Sequence, residues 1–270
     1  MNRRQLIQQI RTKRSFLCIG LDTDRSKIPV HLLSDPDPLF SFNRAIVDAT
    51  RDLCVSYKIN TAFYEAAGMA GWTAMQKTVD YIGKDHLVIA DAKRGDIGNT
   101  SEQYARAFFE TLPFDAITVA PYMGADSVKP FLKWKDKWTI VLGLTSNEGA
   151  ADFELQSTGD QLLYERVLQT ASLWGTNENM MFVIGATRAE AFRRVRELLP
   201  DHFLLVPGVG AQGGSLADVF AFGGMKEVGL LINVSRAVIY ASAGEDFASR
   251  ARTEAEAYQR EMDQLLPNHF

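Results

Sequence analysis

The chain has 270 residues, 46% hydrophobic and 23% charged, with a formal net charge of -4 at neutral pH. That length supplies a large core, and the slight negative balance gives no electrostatic attraction to nucleic acid or an anionic membrane, while leaving a local anion pocket open. The opening MNRRQLIQQIRTKR continues polar and helical, and no apolar run approaches the ~20 residues of a membrane span, so a cytoplasmic protein without a signal peptide is expected.

Taken in chain order, short and nearly continuous apolar runs recur eight times: FLCIGL (16–21), VSYKIN (55–60), HLVIA (86–90), AITVA (116–120), WTIVLGL (138–144), MMFVIGA (180–186), FLLVPGVG (203–210) and GLLINV (229–234). Runs without polar alternation suit strands buried on both faces, as in parallel sheets covered by helices. Amphipathic patterns lie between them, among them FNRAIVDATRDL, SEQYARAFFETL, AEAFRRVRELL and SLADVFAF, and FASRARTEAEAYQREMDQLL closes the chain. Eight strand-helix units without a compositional break predict an α/β fold, a (β/α)8 TIM barrel spanning 1–270 as a single domain with N-terminal and C-terminal helices. Cys18 and Cys54 read as buried thiols, and His31, His86, His202 and His269 are scattered without zinc-ligand spacing, so no metal is expected.

A barrel gathers the C-terminal ends of its strands on one face, where catalytic residues concentrate. Polar residues stand there in this sequence: Asp22, Lys58, Asp91 and Lys93, Thr145 and Ser146, Gly208 to Gln212, and Ser235 with Arg236. A polar strand end alone is usually where the chain meets water; their joint placement points to a site. The polar stretch 146–160 after the fifth strand reads equally as an active-site lid or a tolerated surface insertion.

DAKRGDIGNT (91–100) is the densest of these segments. In an extended strand Asp91 and Lys93 share one face, and Ala92 and Arg94 the other. Lys58 adds a second cation and Asp96 a second anion. A buried ion-pair network is the bland reading, but such networks add little net stability, whereas perturbed charges in a cleft favour function. Nearby acids favour the ammonium form, while an amine nucleophile needs the neutral one, so Lys93 reads as a proton donor rather than a Schiff-base lysine. An acid close to a substrate anion repels it, and decarboxylation relieves that repulsion by discharging the anion as a neutral molecule.

Gly208, Gly210 and Gly213 in PGVGAQGG spell G-x-G-x-x-G, a weak dinucleotide fingerprint so late in the chain, but a backbone that can approach a phosphate after strand seven of a barrel. Arg236 can add a charge-assisted fork there. Asn99, with Glu102 three residues on, reads as a helix N-cap, and Thr100 could reach the site from the same turn.

Through IGLDTD (19–24), YKIN (57–60), DAKRGDIGNT (91–100), APYMGADS (120–127), LTSNEGAADF (144–153), PGVGAQGG (207–214) and VSRAVIYA (234–241), the sequence resembles orotidine 5'-phosphate decarboxylases of the longer bacterial branch. D-x-K-x-x-D marks a superfamily; Lys58 and PGVGAQGG narrow it. The resemblance implies a cofactor-free homodimer with shared active sites that converts orotidine 5'-phosphate to UMP and carbon dioxide. It implies that Lys58, Asp91, Lys93 and Asp96 form a charged tetrad, with Asp96 reaching the partner's site, Lys93 protonating C6 and Asp91 beside the departing carboxylate. Asp22, Lys58, Asp96 and Thr100 would touch ribose hydroxyls, and Ser146 the pyrimidine. Gln212, Arg236 and the backbone around Pro207, Gly208, Gly210 and Ser235 would hold the phosphate. Many members have glycine where this chain has Ser235. The alternatives are a magnesium-dependent sugar-phosphate decarboxylase or aldolase of the same superfamily, against which Lys58 argues, and a non-catalytic phosphometabolite-binding barrel.

Overall fold

The computed structural model describes residues 1–210 and 213–266. Eight strands, β1 (Leu17–Gly20), β2 (Ser56–Asn60), β3 (Leu87–Arg94), β4 (Ala116–Val119), β5 (Trp138–Leu144), β6 (Met180–Ile184), β7 (Phe203–Pro207) and β8 (Leu230–Val234), close into a barrel in sequence order. Every pairing is parallel, and β1 closes the ring against β8 through Cys18↔Asn233. β1, β4, β6 and β8 are buried at every position, which is why they read as unbroken apolar runs.

The helices are α1 (Arg3–Lys13), α2 (Pro38–Thr50), α3 (Thr61–Glu65), α4 (Gly68–Ile82), α5 (Gly98–Arg106), α6 (Ala125–Leu132), α7 (Leu163–Ser172), α8 (Ala191–Leu198), α9 (Leu216–Gly223), α10 (Arg236–Ile239) and α11 (Phe247–Leu265). Several starts are set by local chemistry. Asp37 accepts the Phe40 N–H ahead of Pro38, and Ser215 accepts the Asp218 N–H at the head of α9. The barrel packs one continuous core, to which α11 contributes Ala251, Ala255 and Met262 from a single face.

Most strand ends fall within two residues of the apolar runs, and the departures at β3, β7 and α5 bear on the site. β3 runs on to Arg94 instead of ending at Ala90, and β7 leaves the sheet at Pro207, before the glycines. The cap expected at Asn99 does not form: α5 begins at Gly98, with Ile97 in the cap position and no side-chain hydrogen bond there. Gly98 takes a φ of 54°, so the chain turns into the helix one residue early and Asn99 is already inside it. Among the described residues no helix is long and apolar enough to cross a membrane.

Candidate active site

A cavity of about 320 Å³ opens at the C-terminal ends of the strands. Asp22, Lys58, Asp91, Lys93, Ser146, Pro207, Gly208, Ser235 and Arg236 all line it, from elements as far apart in sequence as β1 and α10. Closing the sheet brings these ends together, so the barrel converts distant strand ends into one site.

At its charged end Lys58, in the middle of β2, points into the barrel with its side chain 5% exposed. Its Nζ donates to Asp22 Oδ1 at 3.1 Å and to Asp91 Oδ2 at 3.0 Å. Lys93 Nζ takes the other oxygen of Asp91 at 2.6 Å. Burial alone works against both charges. It disfavours the Asp91 carboxylate, but the Lys58 and Lys93 ammoniums overcome this and hold its pKa well below the usual range. It likewise disfavours the Lys58 ammonium, and the Asp22 and Asp91 carboxylates reverse the sign and raise its pKa. Asp22, Lys58, Asp91 and Lys93 thus form one continuous chain of ion pairs, with Lys58 and Asp91 each held in the charged form at its centre.

Asp22 is held by the backbone that carries it. Tyr240 Oη donates to the Asp22 carbonyl at 3.0 Å and accepts the Asp24 N–H at 2.7 Å, while Tyr64 Oη donates to the Leu21 carbonyl at 3.0 Å. Lys93 reaches Asp91 from an irregular backbone. Between the pairs Ala90↔Ile117 and Arg94↔Val119, β3 advances four residues while β4 advances two, and Lys93 takes a φ of 47°. Arg94, on the other side, pairs with Glu65 and lies over the Tyr104 and Phe108 rings, outside the site.

At the opposite end the turn after β7 folds on itself, Gly210 N–H donating to the Gly214 carbonyl at 2.9 Å, and Arg236 opens α10 nearby. Gly210 has a φ of 74°, and a Cβ there would fall 2.5 Å from Tyr258 Oη. Gly210 itself is not among the cavity-lining residues, and Gln212 lies outside the described residues. Ser235 sits over Gly20, whose added Cβ would come within 2.7 Å of the Ser235 Cβ. The Ser235 Oγ is buried without a hydrogen-bond partner among the described residues, so the serine at this corner turns its hydroxyl toward β1.

Between the two ends the wall is apolar, with Leu142, Val183 and Leu205, and Ser146 stands at its edge. The segment after β5 is anchored by Glu154, whose carboxylate accepts the Thr145 N–H at 2.7 Å and the Thr145 hydroxyl at 2.8 Å.

Asp96 and Thr100 are not brought to this cavity by their own chain. The Asp96 carboxylate accepts the Ile97 N–H at 2.8 Å and pairs with none of the described cations. Three polar residues of the site or its surroundings escaped the sequence reading. Asn60 and Asn233 line the cavity; a lone amide within the apolar run GLLINV was a usable signal for the second. Thr118 bonds Asp91 from β4, and a threonine in a strand carries no such signal. Cys18 and Cys54 are buried as read, and burial pushes their thiols up to about 12 and about 11.

Fold and site together define a (β/α)8 barrel with an Asp–Lys–Asp–Lys chain of ion pairs at one end of its mouth and a glycine-rich turn at the other. Residues 15–251 match the model of the orotidine 5'-phosphate decarboxylase / HUMPS family. A Flavobacterium johnsoniae protein named orotidine 5'-phosphate decarboxylase is 56% identical over 100% of both chains, and one of that name from Christiangramia forsetii is 58% identical over 97% of each. The solved Leishmania donovani OMP decarboxylase superposes with a TM-score of 0.81 at 36% identity, over 96% of this chain and 99% of its own. The chain belongs to the orotidine 5'-phosphate decarboxylase family.

Proposed function

We infer that this chain decarboxylates orotidine 5'-phosphate to UMP and carbon dioxide, the last step of de novo pyrimidine synthesis, without a cofactor. The observation that carries this reading is the grip of Lys58 and Lys93 on opposite oxygens of Asp91 at the mouth of the barrel. A substrate carboxylate brought beside Asp91 meets a fixed negative charge, and loss of carbon dioxide removes that repulsion. As the C6–carboxyl bond breaks, its electron pair stays on C6, and Lys93 delivers a proton there. Lys58 stays behind to keep Asp91 ionised. In this reading Asp22 and Lys58 bind the ribose hydroxyls, Ser146 the pyrimidine, and Arg236 with the turn at Pro207, Gly208 and Gly210 the phosphate.

Asp96 and Thr100 complete the ribose contacts from a second copy of the chain. Two features support this: both stand outside their own cavity, and Ile97, Tyr122 and Met123, on the loops beyond β3 and β4, expose large apolar surface. The whole chain, 1–270, then acts as one barrel domain in a cytoplasmic homodimer. The magnesium-dependent sugar-phosphate alternative is not favoured. The Lys58 ammonium already lies within hydrogen-bond distance of both Asp22 and Asp91, so the charge a metal would supply between these carboxylates is built into the chain.

The test is an ultraviolet assay of orotidine 5'-phosphate consumption by purified protein in chelator. Turnover is the expected result; no turnover by the wild-type protein overturns the assignment.

A further inference from the structure

The irregularity in β3 poses a local problem. Two extra residues opposite β4 break the regular ladder, and Lys93 adopts a left-handed φ of 47° that a side chain disfavours. Such a conformation persists only where its surroundings fix it.

Thr118, fully buried on β4, supplies the missing contacts. Its Oγ1 lies 2.9 Å from the Lys93 backbone nitrogen and 3.0 Å from Asp91 Oδ1. A backbone N–H can only donate and an ionised carboxylate can only accept, so the direction of both bonds is set. The hydroxyl accepts from the Lys93 N–H and donates to Asp91, to the same oxygen that takes the Lys93 ammonium. One side chain therefore ties the backbone of the proton donor to the carboxylate plane of its partner. Thr118 itself does not line the cavity.

We propose that Thr118 is a positioning residue for the decarboxylation, holding the Lys93 bulge and the Asp91 carboxylate in one geometry from the neighbouring strand. The proposal rests on the decarboxylase reading of the cavity. Supporting residues of this kind act through orientation, where small displacements cost rate more than affinity.

The experiment compares Thr118→Val, which keeps the shape and deletes both hydrogen bonds, with Thr118→Ser, which keeps the hydroxyl. Thr118→Val is expected to lower kcat about 10- to 100-fold with KM for orotidine 5'-phosphate and Kd for UMP within about threefold, and Thr118→Ser to recover kcat to within about fivefold of wild type. The Lys93 amide hydrogen should exchange faster in Thr118→Val than in wild type and Thr118→Ser. Wild-type kcat in Thr118→Val, or Thr118→Ser no faster than a folded Thr118→Val, overturns the proposal. If Thr118→Val does not fold, Thr118→Ala takes its place with the same criteria. The exchange comparison separates this failure from that of the decarboxylase reading: a wild-type protein without turnover defeats the latter, while an unchanged Lys93 amide defeats the Thr118 role by itself.

Discussion

Lys58 and Lys93 hold opposite oxygens of the same carboxylate, yet the Lys58 side chain is 5% exposed and that of Lys93 is 50% exposed. The difference divides their labour. Lys58 is locked between two acids inside the barrel, whereas Lys93 has one strong partner and an open side, as the proposed proton transfer requires. A group that must move a short distance in the transition state gains from that freedom.

Lys93→Ala is accordingly expected to lower kcat by about 10²-fold or more, the range of a general acid, while UMP still binds within about tenfold of wild type. Single-turnover kinetics and a UMP titration read the two quantities separately. A variant that loses UMP binding as completely as turnover would show that Lys93 serves mainly to bind.

Lys58→Met removes the ammonium that two carboxylates share. Asp22 and Asp91 are then left facing each other, at an expected cost of about 3 kcal/mol in unfolding free energy at pH 7, the lower end for a broken buried pair because the cavity admits water. Asp91 has its pKa depressed in the fold, so it contributes stability above the unfolded carboxyl value of about 3.8 and loses it as pH falls. The deficit of the variant should therefore shrink below about pH 4, as its carboxyls protonate. Urea unfolding at pH 7 and pH 3.5 checks this; a deficit that is constant with pH excludes the electrostatic account.

How much of this was legible in the sequence depended on what each residue signals locally. Parallel strands buried on both faces leave unbroken apolar runs, so all eight were visible, and the polar residues at their ends marked the cavity. Parity placed Asp91 beside Lys93 and removed Arg94, and both placements hold, though on a bulged strand with a left-handed residue where the reading assumed a regular one. The bulge stayed hidden because register is a relation between two strands. Thr118 stayed hidden for the same reason: in AITVA it is an ordinary strand former, and only pairing puts it against Lys93. Asp96 was grouped with the other charges by proximity in sequence, yet the chain carries it away from them, beyond Gly95.

Gly210→Ala tests the phosphate end. Alanine at a φ of 74° costs about 1 kcal/mol or more, and its Cβ meets Tyr258 Oη, so the turn must shift. KM for orotidine 5'-phosphate is expected to rise about tenfold, equivalent to about 1.4 kcal/mol of lost binding, with kcat changed less. An unchanged KM would separate this turn from phosphate binding.

Two histidines away from the cavity predict an acid weakness. Burial lowers the pKa of His86 to about 4, aided by the Lys13 ammonium, and lowers His202 to about 4, aided by Arg196 and Arg3. Both are neutral in the fold while the unfolded chain takes up protons below about pH 6.5, so stability declines as pH drops through that window. Between pH 7 and pH 5 the loss should be about 2 kcal/mol per histidine at most, in a range where most carboxyls do not yet titrate. Denaturant unfolding across this range reads the slope, and His86→Leu should flatten it by about half. A slope that survives that substitution would assign the acid sensitivity to other groups.

A site shared between two subunits, as proposed, predicts a quantitative signature in mixtures. If Lys93 and Asp91 come from one subunit and Asp96 from the other, Lys93→Ala and Asp96→Ala homodimers each have two defective sites. Exchanging subunits between them makes mixed dimers in which one site collects both defects and the other has none. Random exchange makes about half of the dimers mixed, and half of their sites intact, so about a quarter of wild-type activity should appear from two nearly inactive parents. Activity should rise with the rate of subunit exchange and vanish when exchange is blocked by cross-linking each parent first. Mixtures that stay as inactive as their parents, although mass measurement shows mixed dimers, would place Asp96 in the site of its own chain or outside the reaction altogether.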